Sequence, residues 1–310
     1  MILSAGLTPA WQQILRFDNL ALGSVNRADS ADWCASGKVL NVGLALQALQ
    51  VQSRTLACVG GDAGQAIRRQ FAASGCQADW IETREPTRVC TTLVCGQQHP
   101  VTELVQNAGL VSESELSAFR ERYKAVVAQA DFVVLSGSLP QGVPQTVYRQ
   151  LLNVRDVPVI LDARGPELLA ALDARPLVVK PNRDELAFTL GRSLDGDAAL
   201  IDAMRDLNRR GATWVVVTDG ARKVWATSGG EVFQFHPLAV NTVNPIGCGD
   251  CLAAGLAAGL HAGHDMQQAI CRGIAAAADN LGKLLPADLD LNSVLAAVSD
   301  VAWSATNAPE

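Results

Sequence analysis

The sequence has no run of basic residues. Its 25 Lys and Arg are outnumbered by 31 Asp and Glu, for a formal net charge of −6 over 310 residues. Nucleic acid needs clustered cations to displace its counterions, so no nucleic-acid partner is expected. A small anionic ligand needs only a few local cations and stays open. Long apolar runs are also missing: none reaches the length of a bilayer span. The opening Met1-Ile2-Leu3-Ser4-Ala5-Gly6 lacks the basic region of a signal peptide. No membrane partner is expected, and the cytoplasm is the expected compartment. Cys248 and Cys251 form a C-x-x-C with no second pair to match it, and the other six of the eight cysteines are scattered. That argues for reduced, partly buried thiols over a zinc site or a disulfide framework. His261 and His264 lack an H-E-x-x-H pattern and read as surface residues. No G-x-G-x-x-G follows the first strand, which disfavours a dinucleotide-binding dehydrogenase.

What is present is a core and a rhythm. Hydrophobic residues make up 49% of the chain, ample for a large α/β domain. Short β-branched runs predict strands at 2–5, 55–59, 132–136, 159–162, 177–179, 214–218 and 224–227. Helices are expected at 38–49, 63–74, 113–129, 145–153, 183–190 and 198–210, then at 251–261, 266–284 and 292–301. Ser112-x-x-Glu115 reads as a capping box, and Pro144 as a first-turn residue. The alternation predicts an α/β fold with a mostly parallel sheet and helices on both faces. Two segments at about 10–34 and 87–104 break the rhythm and read as antiparallel strands of a β lid on a single 1–310 domain. The last four residues, 307–310, are expected to fray. Polar segments sit at the strand ends, where ligands of such sheets bind: Ser136-Gly137-Ser138, Asp162-Ala163-Arg164-Gly165, Lys180-Pro181-Asn182 and Thr218-Asp219-Gly220.

The most informative stretch is Gly247-Cys248-Gly249-Asp250, running into an Ala-rich helix. Glycines allow positive φ and close approach to a ligand, and a helix N-terminus offers unpaired N–H groups to an anion. A carboxylate beside an anion site has a natural task in taking a proton from a hydroxyl that attacks a phosphate. The plain alternative is a capped helix.

In order along the chain come Ser36-Gly37-Lys38-Val39-Leu40-Asn41, Thr87-Arg88, Ser136-Gly137-Ser138-Leu139-Pro140, Lys180-Pro181-Asn182-Arg183-Asp184-Glu185 and Gly247-Cys248-Gly249-Asp250. This series resembles the ribokinase-like carbohydrate kinases of the PfkB type. Within them it is similar to the phosphosugar kinases, such as 1-phosphofructokinase and tagatose-6-phosphate kinase. The resemblance implies a three-layer ribokinase-like fold and a phosphotransferase that moves the γ-phosphoryl group of ATP, with Mg²⁺, to a sugar hydroxyl. Asp250 would be the general base, and the N–H groups of Gly247, Cys248 and Gly249 the anion hole. Lys180, Asn182, Thr218, Gly220 and Asn280 would bind the nucleotide, Asn280 in its adenine pocket. Asn182 and Glu185 would organise the metal. Lys38, Arg88 and Ser138 would hold a phosphate on the acceptor, and Gln12, Gly37 and Asn41 its hydroxyls. Family members often pair through the lid, which makes a homodimer the expectation.

The acceptor half departs from the family pattern. Gln12 stands where the family has an aspartate, Cys90 where it has an asparagine, and Val39 where it has a glycine able to take positive φ. Three readings remain open: a hexose-phosphate kinase acting on fructose 1-phosphate, fructose 6-phosphate or tagatose 6-phosphate; a kinase for an unphosphorylated sugar or polyol; and a nucleotide- or sugar-binding protein with little turnover.

Overall fold

The structure is a computed structural model that describes residues 1–96 and 101–306. The expectation of a frayed 307–310 tail, and the 97–100 part of the second lid segment, lie outside the described residues. From the N-terminus, β1 (Ile2–Gly6), β2 (Ala10–Phe17) and β3 (Ser30–Ser36) precede α1 (Lys38–Ala48). Then come β4 (Ser53–Val59), α2 (Gly61–Ala73), β5 (Ala78–Glu82), β6 (Val89–Cys95), β7 (Thr102–Val105), α3 (Glu113–Val127) and β8 (Phe132–Ser136). The middle of the chain holds α4 (Val147–Leu152), β9 (Val159–Asp162), α5 (Gly165–Ala171), β10 (Val178–Val179), α6 (Arg183–Leu190) and α7 (Gly196–Arg210). Last are β11 (Trp214–Thr218), β12 (Val224–Ser228), β13 (Glu231–Phe235), α8 (Cys248–His261), α9 (Met266–Leu281), α10 (Leu291–Ala297) and β14 (Trp303–Thr306).

A 10-stranded sheet has the order β14-β13-β12-β11-β10-β9-β8-β1-β4-β5. From β11 to β5 every pairing is parallel, while β11 to β14 form an antiparallel edge. The parallel strands are apolar on both faces because both are covered. In β8, Val133 and Leu135 pack with Phe119, Tyr123 and Leu151 on one side. Phe132 and Val134 pack on the other side with Leu46, Leu252 and Leu256. A second sheet, β3-β2-β6-β7, comes from the two segments that interrupt the alternation. Its β2 pairs with β6 in parallel, setting Gln12 beside Cys90, and β7 sets Val105 opposite Cys90.

Several elements differ from the sequence expectation. β5, β13 and α5 were not anticipated, and β14 closes the antiparallel edge after α10 ends at Ala297. Their short or alternating sequences are stabilised by neighbours and not by local periodicity. Pro144 opens a turn ahead of α4, its carbonyl accepting from the Val147 N–H at 3.0 Å, so the helix starts later than expected. The Ser112–Glu115 capping box is present at the start of α3. Among the described residues, no helix is long and apolar enough to cross a membrane.

α8 carries the functional turn at its start, and it lies hard against α9. A Cβ added at Gly255 would come within 2.8 Å of the Arg272 carbonyl oxygen and of Gly273 Cα. Small residues let the two backbones meet, which fixes the height of the α8 N-terminus against the sheet. Gly255→Val is therefore expected to lower stability by about 1–3 kcal/mol through overpacking, read as a lower urea midpoint at unchanged slope.

Candidate active site

The C-terminal ends of β1, β8, β9, β10 and β11, the start of α8 and the inner face of the lid surround a cavity of about 520 Å³. At its centre is a charge network that the sequence reading left as strand-end punctuation. Asp162, the last residue of β9, is fully buried. Its Oδ1 accepts from Lys38 Nζ at 2.6 Å, and its Oδ2 lies 2.9 Å from Lys180 Nζ. Lys38 also donates to Glu185 Oε1 at 2.9 Å. Burial works against the charge on Asp162, but the two ammonium groups outweigh it and hold the carboxyl below its ordinary range. Burial likewise opposes the charge on Lys38, and Asp162, Glu185 and Asp250 together hold it above its ordinary range.

Gly247 takes φ 85° as the N-cap of α8, a left-handed conformation that glycine adopts without strain. The next turn delivers Asp250, which is 6% exposed and lines the cavity. Its Oδ2 accepts from Asn41 Nδ2 at 2.7 Å. Burial pushes the Asp250 carboxyl up to about 6, with Asp162 adding to the rise and Lys38, Asn41 and Lys180 opposing it. The N–H of Cys248 donates to the Pro245 carbonyl at 3.3 Å, so the expected three-donor anion hole is reduced. The N–H groups of Gly247 and Gly249 have no hydrogen-bond partner among the described residues. Lys180 Nζ lies 3.5 Å from where a Gly249 Cβ would be, which sets an ammonium over the same turn.

Other expected residues take more mixed positions. Gln12, Gly37, Asn41, Arg88 and Ser138 all line the cavity. Gln12 donates its amide to Thr92 Oγ1 at 2.7 Å, and Asn41 Oδ1 is buried without a partner. Arg88 donates to the carbonyls of Thr8, Pro9 and Gln106 at 3.1–3.4 Å. Positive φ is needed at Gly37 (86°) and not at Val39, which sits buried in the first turn of α1. Asn182 and Glu185 form a capping box at the start of α6. Among the described residues, no cluster of three His, Cys, Asp or Glu could hold a metal, and all eight cysteines are free.

Thr218 and Gly220 line both this cavity and a second one of about 590 Å³, walled by Pro237, Leu238, Val240, Leu252, Ala277 and Leu281. Its apolar walls suit a flat heterocycle. Asn280 does not line it. The side chain is fully buried, accepting from Ala287 N–H at 2.7 Å and donating to the Ile246 carbonyl at 3.0 Å and to Cys248 Sγ at 3.1 Å. It ties the Pro245–Cys248 turn to α9, since a buried amide must spend its hydrogen-bonding groups on protein. Sequence reasoning missed Asp162 and the lid carboxylate Glu103, both in the cavity wall. A carboxylate closing the wholly apolar Val159–Leu161 run was the available signal for the first.

Because Lys180 is 3% exposed and depends on Asp162, Asp162→Ala is expected to cost about 3–5 kcal/mol. The folded-state pKa of Asp162 is depressed. Its contribution is therefore present above its ordinary value of 3.8 and is lost as pH falls below it. Acid unfolding of the wild type and the variant should converge in that range.

The fold has close relatives among solved structures. Escherichia coli phosphofructokinase-2, in complex with fructose-6-phosphate, matches with TM-score 0.85 at 21% identity, over 97% of this chain and 99% of that one. A Thermotoga maritima protein named as a possible 1-phosphofructokinase matches with TM-score 0.90 at 20% identity, over 98% of this chain and 99% of that one. At these identities the likeness is one of fold. The model of the pfkB family carbohydrate kinases matches residues 11–288. Nearly the whole chain is thus covered, and with the Gly-Cys-Gly-Asp turn, the parallel sheet and the lid in place, the protein belongs to the PfkB family of carbohydrate kinases, phosphotransferases that act on a sugar hydroxyl.

Proposed function

We propose that this chain transfers the γ-phosphoryl group of ATP to a hydroxyl of a hexose phosphate, with Asp250 as the base. The observation that carries the reading is the Asp250 carboxyl, desolvated to a pKa of about 6, held by Asn41 and set beside two free N–H groups at a helix N-terminus. Near neutral pH that group is ionised and still basic enough to take a proton. The acceptor hydroxyl donates to Asp250 while the unpartnered Asn41 Oδ1 orients a neighbouring hydroxyl. As the phosphoryl group moves, the N–H groups of Gly247 and Gly249 and the Lys180 ammonium meet its equatorial oxygens, so charge is stabilised where it develops. The adenine ring occupies the apolar cavity, and Thr218 and Gly220 border the passage along which the phosphates lie.

Mg²⁺ fits this donor set. It keeps most of its waters, so one carboxylate, Glu185, with Asn182 beside it in the cavity wall, would hold its hydration shell. When bound, it supplies neutralisation of the β- and γ-oxygens. Arg88, Lys38 and Ser138 line the acceptor end, and the likeness to phosphofructokinases supports a phosphate there. A second reading, an unphosphorylated sugar or polyol, is favoured by the engagement of Lys38 with two carboxylates and by Glu103 in the same wall. The exposed Trp33 and Leu104 of the lid support a homodimer through that sheet, which sedimentation equilibrium would read.

Coupled ADP detection over a panel of acceptors tests the assignment. Turnover is expected on fructose 1-phosphate, fructose 6-phosphate or tagatose 6-phosphate. Activity confined to neutral sugars transfers the assignment to the second reading, and ATP binding without turnover on any acceptor removes the kinase function. With the active acceptor, kcat/KM should fall about tenfold per pH unit below an apparent pKa near 6. Asp250→Asn should lower kcat at least about a hundredfold. It should not lower the melting temperature at pH 8, because it removes a buried charge. An unchanged kcat would refute Asp250 as the base.

A further inference from the structure

Four cations line the ionic cavity: Lys38, Arg88, Arg164 and Lys180. Three of them are engaged. Lys38 and Lys180 share Asp162, Lys38 also holds Glu185, and Arg88 is spent on three main-chain carbonyls. Arg164 differs. It is exposed, and it makes no hydrogen bond or ion pair among the described residues. Its guanidinium lies over the ring of Phe188, 5.5 Å from the centroid. Phe188 is itself 66% exposed. An aromatic face attracts a guanidinium without using its N–H groups. The donor fork of Arg164 is thus held at the mouth of an anion-handling cavity with its hydrogen-bonding capacity unspent. Glu167, the neighbouring acid on α5, makes no ion pair with it.

The placement favours the donor side of the cavity. Arg164 follows Asp162 at the end of β9, next to the Lys180–Asn182 segment that follows β10. Phe188 belongs to α6, whose N-cap Asn182 bridges Thr218, and Thr218 borders both the ionic and the apolar cavities. A Cβ at Gly165 would lie 3.3 Å from Phe188 Cε1, so the ring packs directly on the turn that carries Arg164. Arg88, beside the lid, lines the same cavity with its donors already taken by main-chain carbonyls.

Building on the kinase reading above, we propose that Arg164 is a substrate-binding residue for the donor. It leaves the Phe188 face to take the terminal phosphate oxygens of the nucleoside triphosphate, with Phe188 as the parking surface that keeps the guanidinium near the mouth. A planar fork suits two phosphate oxygens at once, whereas an ammonium offers only a point charge.

The test is calorimetric titration of the full chain with Mg-ATP and with AMP, without acceptor, in wild type, Arg164→Ala and Arg164→Lys. Arg164→Ala should weaken ATP about tenfold or more, the loss of a charge-assisted contact. It should leave AMP and the melting temperature unchanged, and Arg164→Lys should recover part of the ATP affinity. Wild-type ATP affinity retained in Arg164→Ala overturns the assignment, as does an equal loss for ATP and AMP. Both outcomes leave the kinase reading standing. A wild type that binds neither nucleotide overturns the donor-site reading together with this one.

Discussion

One buried carboxylate connects the two halves of this site. Asp162 has no exposure and sits between Lys38, which opens α1 beneath the lid, and Lys180, which leaves β10 on the nucleotide side. A charge so deep in the protein is tolerated because both lysines reach it, and Lys180 in turn has Asp162 as its ion-pair partner. The pair fixes where positive charge stands relative to the α8 turn. In this arrangement Lys180 lies over Gly249 and Lys38 faces Glu185. The same negative charge reaches Asp250 and adds to the rise that burial gives its pKa. Asp162 thus places the two ammonium groups of the cavity and adds to the rise that burial gives Asp250.

The turn before α8 is held from behind. Asn280 on α9 clasps the Ile246 carbonyl and Cys248 Sγ, and Gly255 lets α9 come close enough to do so. A rigid turn keeps the N–H groups of Gly247 and Gly249 aimed without reorganisation, which electrostatic stabilisation of a phosphoryl group requires. The lid is the other wall, and it carries two residues that depart from the family pattern, Gln12 and Cys90, beside Glu103 and Val105. The donor side thus rests on the sheet and its two core layers, while the acceptor side is shared between α1, the end of β8 and the four-stranded lid.

Much of this was legible in the sequence where local physics decides the outcome. Continuous apolar runs gave β8, β9 and β11 with their observed bounds, and the Ser112 box marked the start of α3. β5, β13 and β14 were not legible, because a short amphipathic strand is stabilised by the neighbour it pairs with. The same holds for side-chain roles. Asn280 looked like a ligand-facing amide on a helix, yet its hydrogen bonds go to residues 246, 248 and 287, a partnership no spacing rule predicts. The Cys248 N–H looked available, yet the turn bends it back onto Pro245.

The sequence by itself determined the alternating α/β order, the parallel core and the Gly-Cys-Gly-Asp turn, because glycine dihedrals and apolar periodicity act over a few residues. Only the tertiary structure decided which charges are spent and which are free. Lys38, Lys180 and Asp162 are 142 residues apart at the extremes and neutralise one another only once three strand ends converge. The basicity of Asp250 likewise comes from the depth at which the packed helices bury it, since desolvation is a property of the whole assembly and not of the segment that carries the carboxylate.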